Sequence, residues 1–165
     1  MLDLYDRLSA ELVEKTSHDP SASWRDRFLV TLQASLDVLA PHRAELTLQM
    51  PEMIGTGEQS LFAQETSFSR KRVEDLFIRA ITEAKDAPEP KTAASMGRLL
   101  YLMHLGIILW WLLDRSSSQR ATTELIRTLH RGRALAKLVP HLPYAKAMIA
   151  SADALCREGL YGETC

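Results

Sequence analysis

Hydrophobic positions recur along this chain at steps of three and four, the spacing of helices that each bury one face. Leu4, Tyr5, Leu8, Leu12 and Val13 predict an opening helix over about 2–16, closed by the turn-prone Ser17-His18-Asp19-Pro20. Trp24, Phe28, Leu32, Leu36 and Leu39 form a second stripe; Asp19, Ser21 and Ser23 compete to cap its start, and Pro41 stops it. Leu46 and Leu48 predict a short helix over 42–50, cut by Pro51, and an irregular connection follows to Gly57. From 58 to about 84, Leu61, Phe62, Phe68, Val73, Leu76, Phe77, Ala80 and Ile81 predict one long helix with a solvated face. Lys85 to Lys91 is a proline-broken linker. A helix over about 92–114, a polar turn over 115–119 and a helix over about 120–138 ended by Pro140 come next. The last helix spans about 143–158, with Gly159 as its stop. No stretch alternates as a strand does. The pattern predicts an all-α fold, a single-domain bundle of about six to seven helices over 1–165.

One of these helices breaks the amphipathic rule. Leu99 to Leu113 reads LLYLMHLGIILWWLL, without a formal charge, between Arg98 and Asp114-Arg115. A helix apolar around its whole circumference must be covered on all sides. A membrane span needs about twenty apolar residues, and this run is shorter and contains His104. It reads instead as a helix buried from two directions, by its own domain and by a second subunit. Gly106 costs about 1 kcal/mol relative to Ala in a helix, which points to close approach by another helix, in this subunit or its mate. Trp110 and Trp111 point about 100° apart, so one faces the interior and the other an interface or its rim.

Composition narrows the function. Of 165 residues, 46% are hydrophobic and 25% charged, which argues against disorder, and the net charge of −1 gives no field for a polyanion. Cys156 and Cys165 make no disulfide framework, and the acidic amphipathic start is unlike a signal peptide, so a cytoplasmic location is expected. No Cys-x-x-Cys, His-Glu-x-x-His or Gly-x-Ser-x-Gly occurs. Neither catalytic nor metal-binding residues are expected, and no cofactor. Gly55-Thr56-Gly57 lacks the preceding strand of a phosphate loop. Arg127, Arg131, Arg133 and Lys137 fall on one helix face, a solvated face or a docking surface for an acidic partner.

His104 is the residue with most chemical content. A lone histidine in an apolar helix is ordinarily a hydrogen-bonded core residue; the functional alternative is a single polar contact in an apolar cavity. Tyr101 and Trp111 lie within reach of the same helix face. Met50, Met53, Phe62, Phe77 and Met103 are candidates to line the same space, though Met and aromatic residues at helical spacing ordinarily form core.

The string LLYLMHLGIILWWLLDRSSSQRATTELI, residues 99–126, resembles the penultimate-helix region of TetR/AcrR family transcriptional regulators. LYDRLSAEL at 4–12 resembles that family's connector helix, and SWRDRFLVTLQASLDVLAPHRAEL at 23–46 the helix and Pro-His-Arg turn after it. The likeness covers about 2–139, leaving 143–160 as an extra C-terminal helix. Family members begin with a helix-turn-helix head of roughly fifty residues, whereas this sequence opens at the connector; DNA binding by this chain alone is not expected. The resemblance implies a homodimer in which the helices over 97–114 and 120–138 form a four-helix bundle with their mates. The expected contacts are Leu102, Leu105, Gly106, Leu109, Leu113, Leu125, Leu129 and Ala136. It also implies a cavity for a small apolar or aromatic effector, no enzymatic activity and no membrane partner. Two rivals stand beside this reading: a ligand-free helical module that pairs with a related regulator, and a small enzyme built on His104.

Overall fold

The computed structural model describes residues 2–136 and 144–161, and the side chains of 133–136 lie outside the description. The described chain is all α-helical, with no strand. Helices α1 (Leu2–Lys15), α2 (Trp24–Leu39), α3 (Arg43–Met53), α4 (Ser67–Thr82) and α5 (Pro90–Leu113) are followed by α6 (Arg120–Ala136) and α7 (Ala145–Tyr161). Helix α5 is the hub: α4 packs along it most extensively, α7 docks on it, and α1 and α2 close the bundle against α4.

Capping settles the start of α2. Ser23 is its N-cap, accepting from the Asp26 N–H, while the Ser23 hydroxyl donates to Asp26 Oδ2 at 2.6 Å. Asp19 instead holds the preceding turn through the Ser21 N–H and hydroxyl. Asp86 reaches across from the α4–α5 linker to accept from the Trp24 N–H at 2.8 Å and to pair with Arg25. At the other end of the hub, Arg43 donates to the carbonyls of Trp111, Leu112 and Asp114 and lies over the Trp111 ring. A cation there satisfies carbonyls that the end of a helix leaves without partners. The next turn puts Ser118 and Gln119 at positive φ, 52° and 55°. Asp114 pins it by accepting from the N–H and hydroxyl of both Ser116 and Thr122. Those bonds hold its carboxyl far below the usual carboxylate range, those of Ser116 foremost.

The structure departs from the periodicity in four places. The predicted long helix over 58–84 is only Ser67–Thr82. Residues 58–66 fold as successive turns because Leu61 N–H bonds back to Met53 O and the Thr66 hydroxyl donates to Ser60 O at 2.6 Å. Pro51 does not cut α3; it sits in the last turn, which runs on to Met53. Gly159 does not stop α7, which continues to Tyr161. Finally, Gly106 is not the glycine at a close approach within the chain. A Cβ there would meet nothing within 4 Å, whereas one on Gly97 would fall 2.6 Å from Ile78 Cα, which is how α4 and α5 come so close. Pro140, Pro143 and Cys165 lie outside the described residues.

The hub helix spans 24 residues and, by length and composition alone, is long and apolar enough to cross a membrane; 44% of its most apolar window is buried in the fold. One side carries Tyr101, His104, Ile107, Ile108, Trp111 and Leu112 into the core. The other leaves Met103, Gly106, Trp110 and Leu113 exposed, a single stripe at steps of three and four. The tryptophans divide accordingly: Trp111 is 4% exposed and donates from Nε1 to Gln119 Oε1, while Trp110 is 52% exposed.

Candidate functional site

A cavity of about 360 Å³ opens between α1, α2, α3, the 54–66 turns, α4 and α5, with Leu160 of α7 at its edge. That is the lower end of the range for small-molecule sites, about 300–1,000 Å³. Its walls are nearly all apolar: Tyr5, Leu8 and Leu12 from α1, Val38 and Leu39 from α2, Leu46, Met50 and Met53 from α3. Helix α5 supplies the longest wall, from Tyr101 to Leu112. This arrangement follows from local folding. The apolar stripes of α1 and α2 face inward over α5, and the turns after α3 bring Leu61 and Phe62 back over the opening.

The polar groups of the cavity are few and placed at different depths. At the floor, Ser35 Oγ and His104 Nε2 lie 2.7 Å apart, and the two residues are 2% and 4% exposed. The His104 ring lies 4.8 Å from that of Phe77, tilted by 38°, and Nδ1 has no hydrogen-bond partner. Burial lowers the His104 pKa to about 3, so the ring is neutral throughout the physiological range. The phenol of Tyr101 is pushed well above its ordinary range, first by the same burial. Nearer the rim, Arg70 lies over the rings of Phe62 and Tyr161 and donates from Nη1 to Leu61 O and Ala63 O, which holds the turns against α4. Tyr5 ties the same turns to α1 by donating to Gln59 O, and burial pushes its pKa up to about 12.

Of the residues predicted for a ligand site, the structure brings Met50, Met53, Phe62, Tyr101 and His104 to the lining of one cavity. It places three elsewhere. Phe77 is fully buried behind His104, against Phe28 and Tyr101. Trp111 belongs to the core under Arg43; it points about 100° away from Leu112, the neighbour that does line the cavity. Met103 is adjacent to His104 and therefore points about 100° away, to the surface. Ser35 and Arg70 were not singled out from the sequence. The one available signal for Ser35 was a hydroxyl on the inner stripe of α2 between Leu32 and Leu36.

The residues predicted for a subunit contact also separate. Gly106 and Leu113 are exposed. Leu102, Leu105, Leu125 and Leu129 are half-buried and pack partly on their own core, and Leu102, Leu105, Gly106 and Leu109 border the cavity as well. Helix α6 lies chiefly against α2, not flat along α5, and the side chain of Ala136 lies outside the description. Arg127 and Arg131 are exposed, Arg127 pairing with Glu124, whereas the side chains of Arg133 and Lys137 lie outside the description. Among the described residues no group of three or more His, Cys, Asp or Glu is placed to hold a metal ion. Comparison with models of protein families and with curated proteins gives no significant match.

Proposed function

We propose that this chain is the effector-binding and dimerisation domain of a TetR-like transcriptional regulator, sensing a small apolar or aromatic molecule without catalysis. The observation that carries the reading is the apolar cavity with its buried Ser35–His104 pair, a neutral polar floor in greasy walls. Such a site favours an uncharged ligand that fills space and makes one hydrogen bond. The likeness of residues 99–126 to the family supports the same reading.

Helix α5 is the element that would link sensing to output. One flank of it, Leu102, Leu105 and Leu109, walls the cavity, and the adjoining stripe of Met103, Gly106, Trp110 and Leu113 is bare. A second copy across a two-fold axis covers such a stripe with the same stripe, and the absence of a side chain at Gly106 leaves room for it. A ligand that prefers one setting of α5 then biases the pair, by no more than its difference in affinity for the two settings.

A thermal-shift series with neutral apolar and aromatic compounds tests the sensing. A compound at about a hundred times its Kd stabilises by about 2.7 kcal/mol, which raises Tm by roughly 5–10 °C in a domain of this size. If none of a broad set moves Tm, the effector reading fails and the ligand-free module takes its place. Pairing is tested by solution mass. Trp110→Glu is expected to weaken the dimer by about thirtyfold or more, the scale of an interface Trp, and to leave the helical content unchanged because Trp110 is exposed in the protomer. A wild-type chain that is monomeric at high concentration would sink the pairing.

A further inference from the structure

A second cavity, of about 420 Å³, lies between the end of α1, the turn after it, α2 and α4, and shares no lining residue with the apolar one. Its walls bring together His18, Arg27, Arg79 and Glu83. Arg27 is the anomaly. The residue is 3% exposed, yet its Nε and Nη1 have no hydrogen-bond partner. The nearest carboxylate is Glu83, whose Oε2 stands 3.7 Å from Nη1 on a side chain that is mostly in solvent. Other arginines of the fold are served better: Arg72 meets Asp6 at 2.8 Å, and Arg98 donates from Nε to Asp153 at 2.7 Å. A buried guanidinium with two of its nitrogens unserved is costly to the fold.

The surroundings add a second cation. Arg79 lines the same space. His18, its Nε2 2.8 Å from Thr31 Oγ1, has its pKa lowered first by burial and next by Arg27, so it contributes a neutral ring. Glu83 and, beyond ion-pair distance, Asp19 partly offset the two arginines.

We propose that this cavity binds a small polar metabolite through an oxyanion, a carboxylate or phosphoryl group, held by Arg27 and Arg79 in place of Glu83. The planar fork of arginine matches two oxygens of either group. The volume exceeds that of one oxyanion, so the ligand carries a body as well, resting on the apolar wall formed by Val13 and Leu76.

The probes are inorganic phosphate and succinate, titrated against the full chain by calorimetry and thermal shift, with sodium chloride at matched ionic strength. One of the two is expected to raise Tm saturably beyond chloride, and the better one identifies the head group. Arg79→Gln and Glu83→Gln both alter exposed side chains, so both variants fold. Arg79→Gln is expected to weaken binding roughly tenfold, about the worth of one charge-assisted hydrogen bond. Glu83→Gln, which removes the internal competitor, tightens it severalfold. A purely structural Arg27 predicts neither change. Responses to phosphate and succinate that match chloride, or equal affinities in all three proteins, would overturn the site.

Discussion

Phe77→Ala is expected to destabilise the protein by about 3–5 kcal/mol, the usual range for emptying a fully buried phenylalanine, and to lower Tm by roughly 10 °C or more. Phe77 is wholly inaccessible and its ring meets three others: Phe28 at 5.9 Å, Tyr101 at 6.2 Å and His104 at 4.8 Å. Its loss therefore removes both buried area and the backing that holds His104 against Ser35. Neighbours cannot collapse easily into the gap, because Leu32 of the same cluster and Ile81, one turn along α4, are themselves fully buried. The void is apolar, and dry apolar voids accept small apolar molecules. Benzene should thus restore part of the lost Tm in Phe77→Ala and do less for the wild type. Denaturant unfolding gives the free energy; a loss below about 1 kcal/mol would mean that the core repacks and that Phe77 does not position the histidine.

How much of this was legible beforehand depends on whether a feature is local. The face of each helix is a local property, so α1, α2 and α5 follow from their stripes, and the opposed settings of Trp110 and Trp111 follow from adjacency on a helix. Of the eight residues grouped on helix face and residue type, Met50, Met53, Phe62, Tyr101 and His104 line one cavity, whereas Phe77, Met103 and Trp111 do not. What periodicity does not carry is the identity of the neighbour. Ser35 meets His104 across 69 positions, and nothing in either segment announces the other. Phe77 and Tyr101 are alike as aromatic residues on inner faces, yet one lines the cavity and one backs its floor, which only the setting of α4 against α5 decides. The 58–66 segment failed differently. Leu61, Phe62 and Phe68 fit a helical spacing, but two long-range bonds, Leu61 N–H to Met53 O and the Tyr5 hydroxyl to Gln59 O, hold that stretch in turns. Close approach at a glycine within the chain is a matter of neighbours too. Gly106 stands out as a glycine in mid-helix, whereas within the chain Gly97 is the one that α4 presses upon.

Acid should unfold this protein earlier than its carboxylates alone would require, and His104 is the reason. Its folded pKa is lowered to about 3 by burial, against an ordinary value of about 6.5 for an unfolded chain. Above about pH 6.5 both states are neutral at this site and stability does not depend on it. Below that, the unfolded chain takes up a proton that the folded one refuses, and stability falls by up to about 1.4 kcal/mol per pH unit until the folded pKa is reached. At pH 4.5 the accumulated loss is about 2.7 kcal/mol. His18, also lowered chiefly by burial, adds to the same trend, and Glu74, raised by burial, opposes it. A difference between two proteins that share both groups isolates His104. His104→Gln keeps a polar partner for Ser35 and cannot titrate. At pH 7 it is expected to be less stable than wild type by about 1–2 kcal/mol, the worth of an imperfectly replaced hydrogen bond and ring contact. Its stability then declines more gently with acid, and the two curves cross between about pH 5 and pH 6. Urea unfolding at intervals from pH 7 to 4.5 measures both curves. Parallel curves would show that His104 is protonated in the folded state, and so that the cavity floor is open to water and could not serve a neutral apolar ligand.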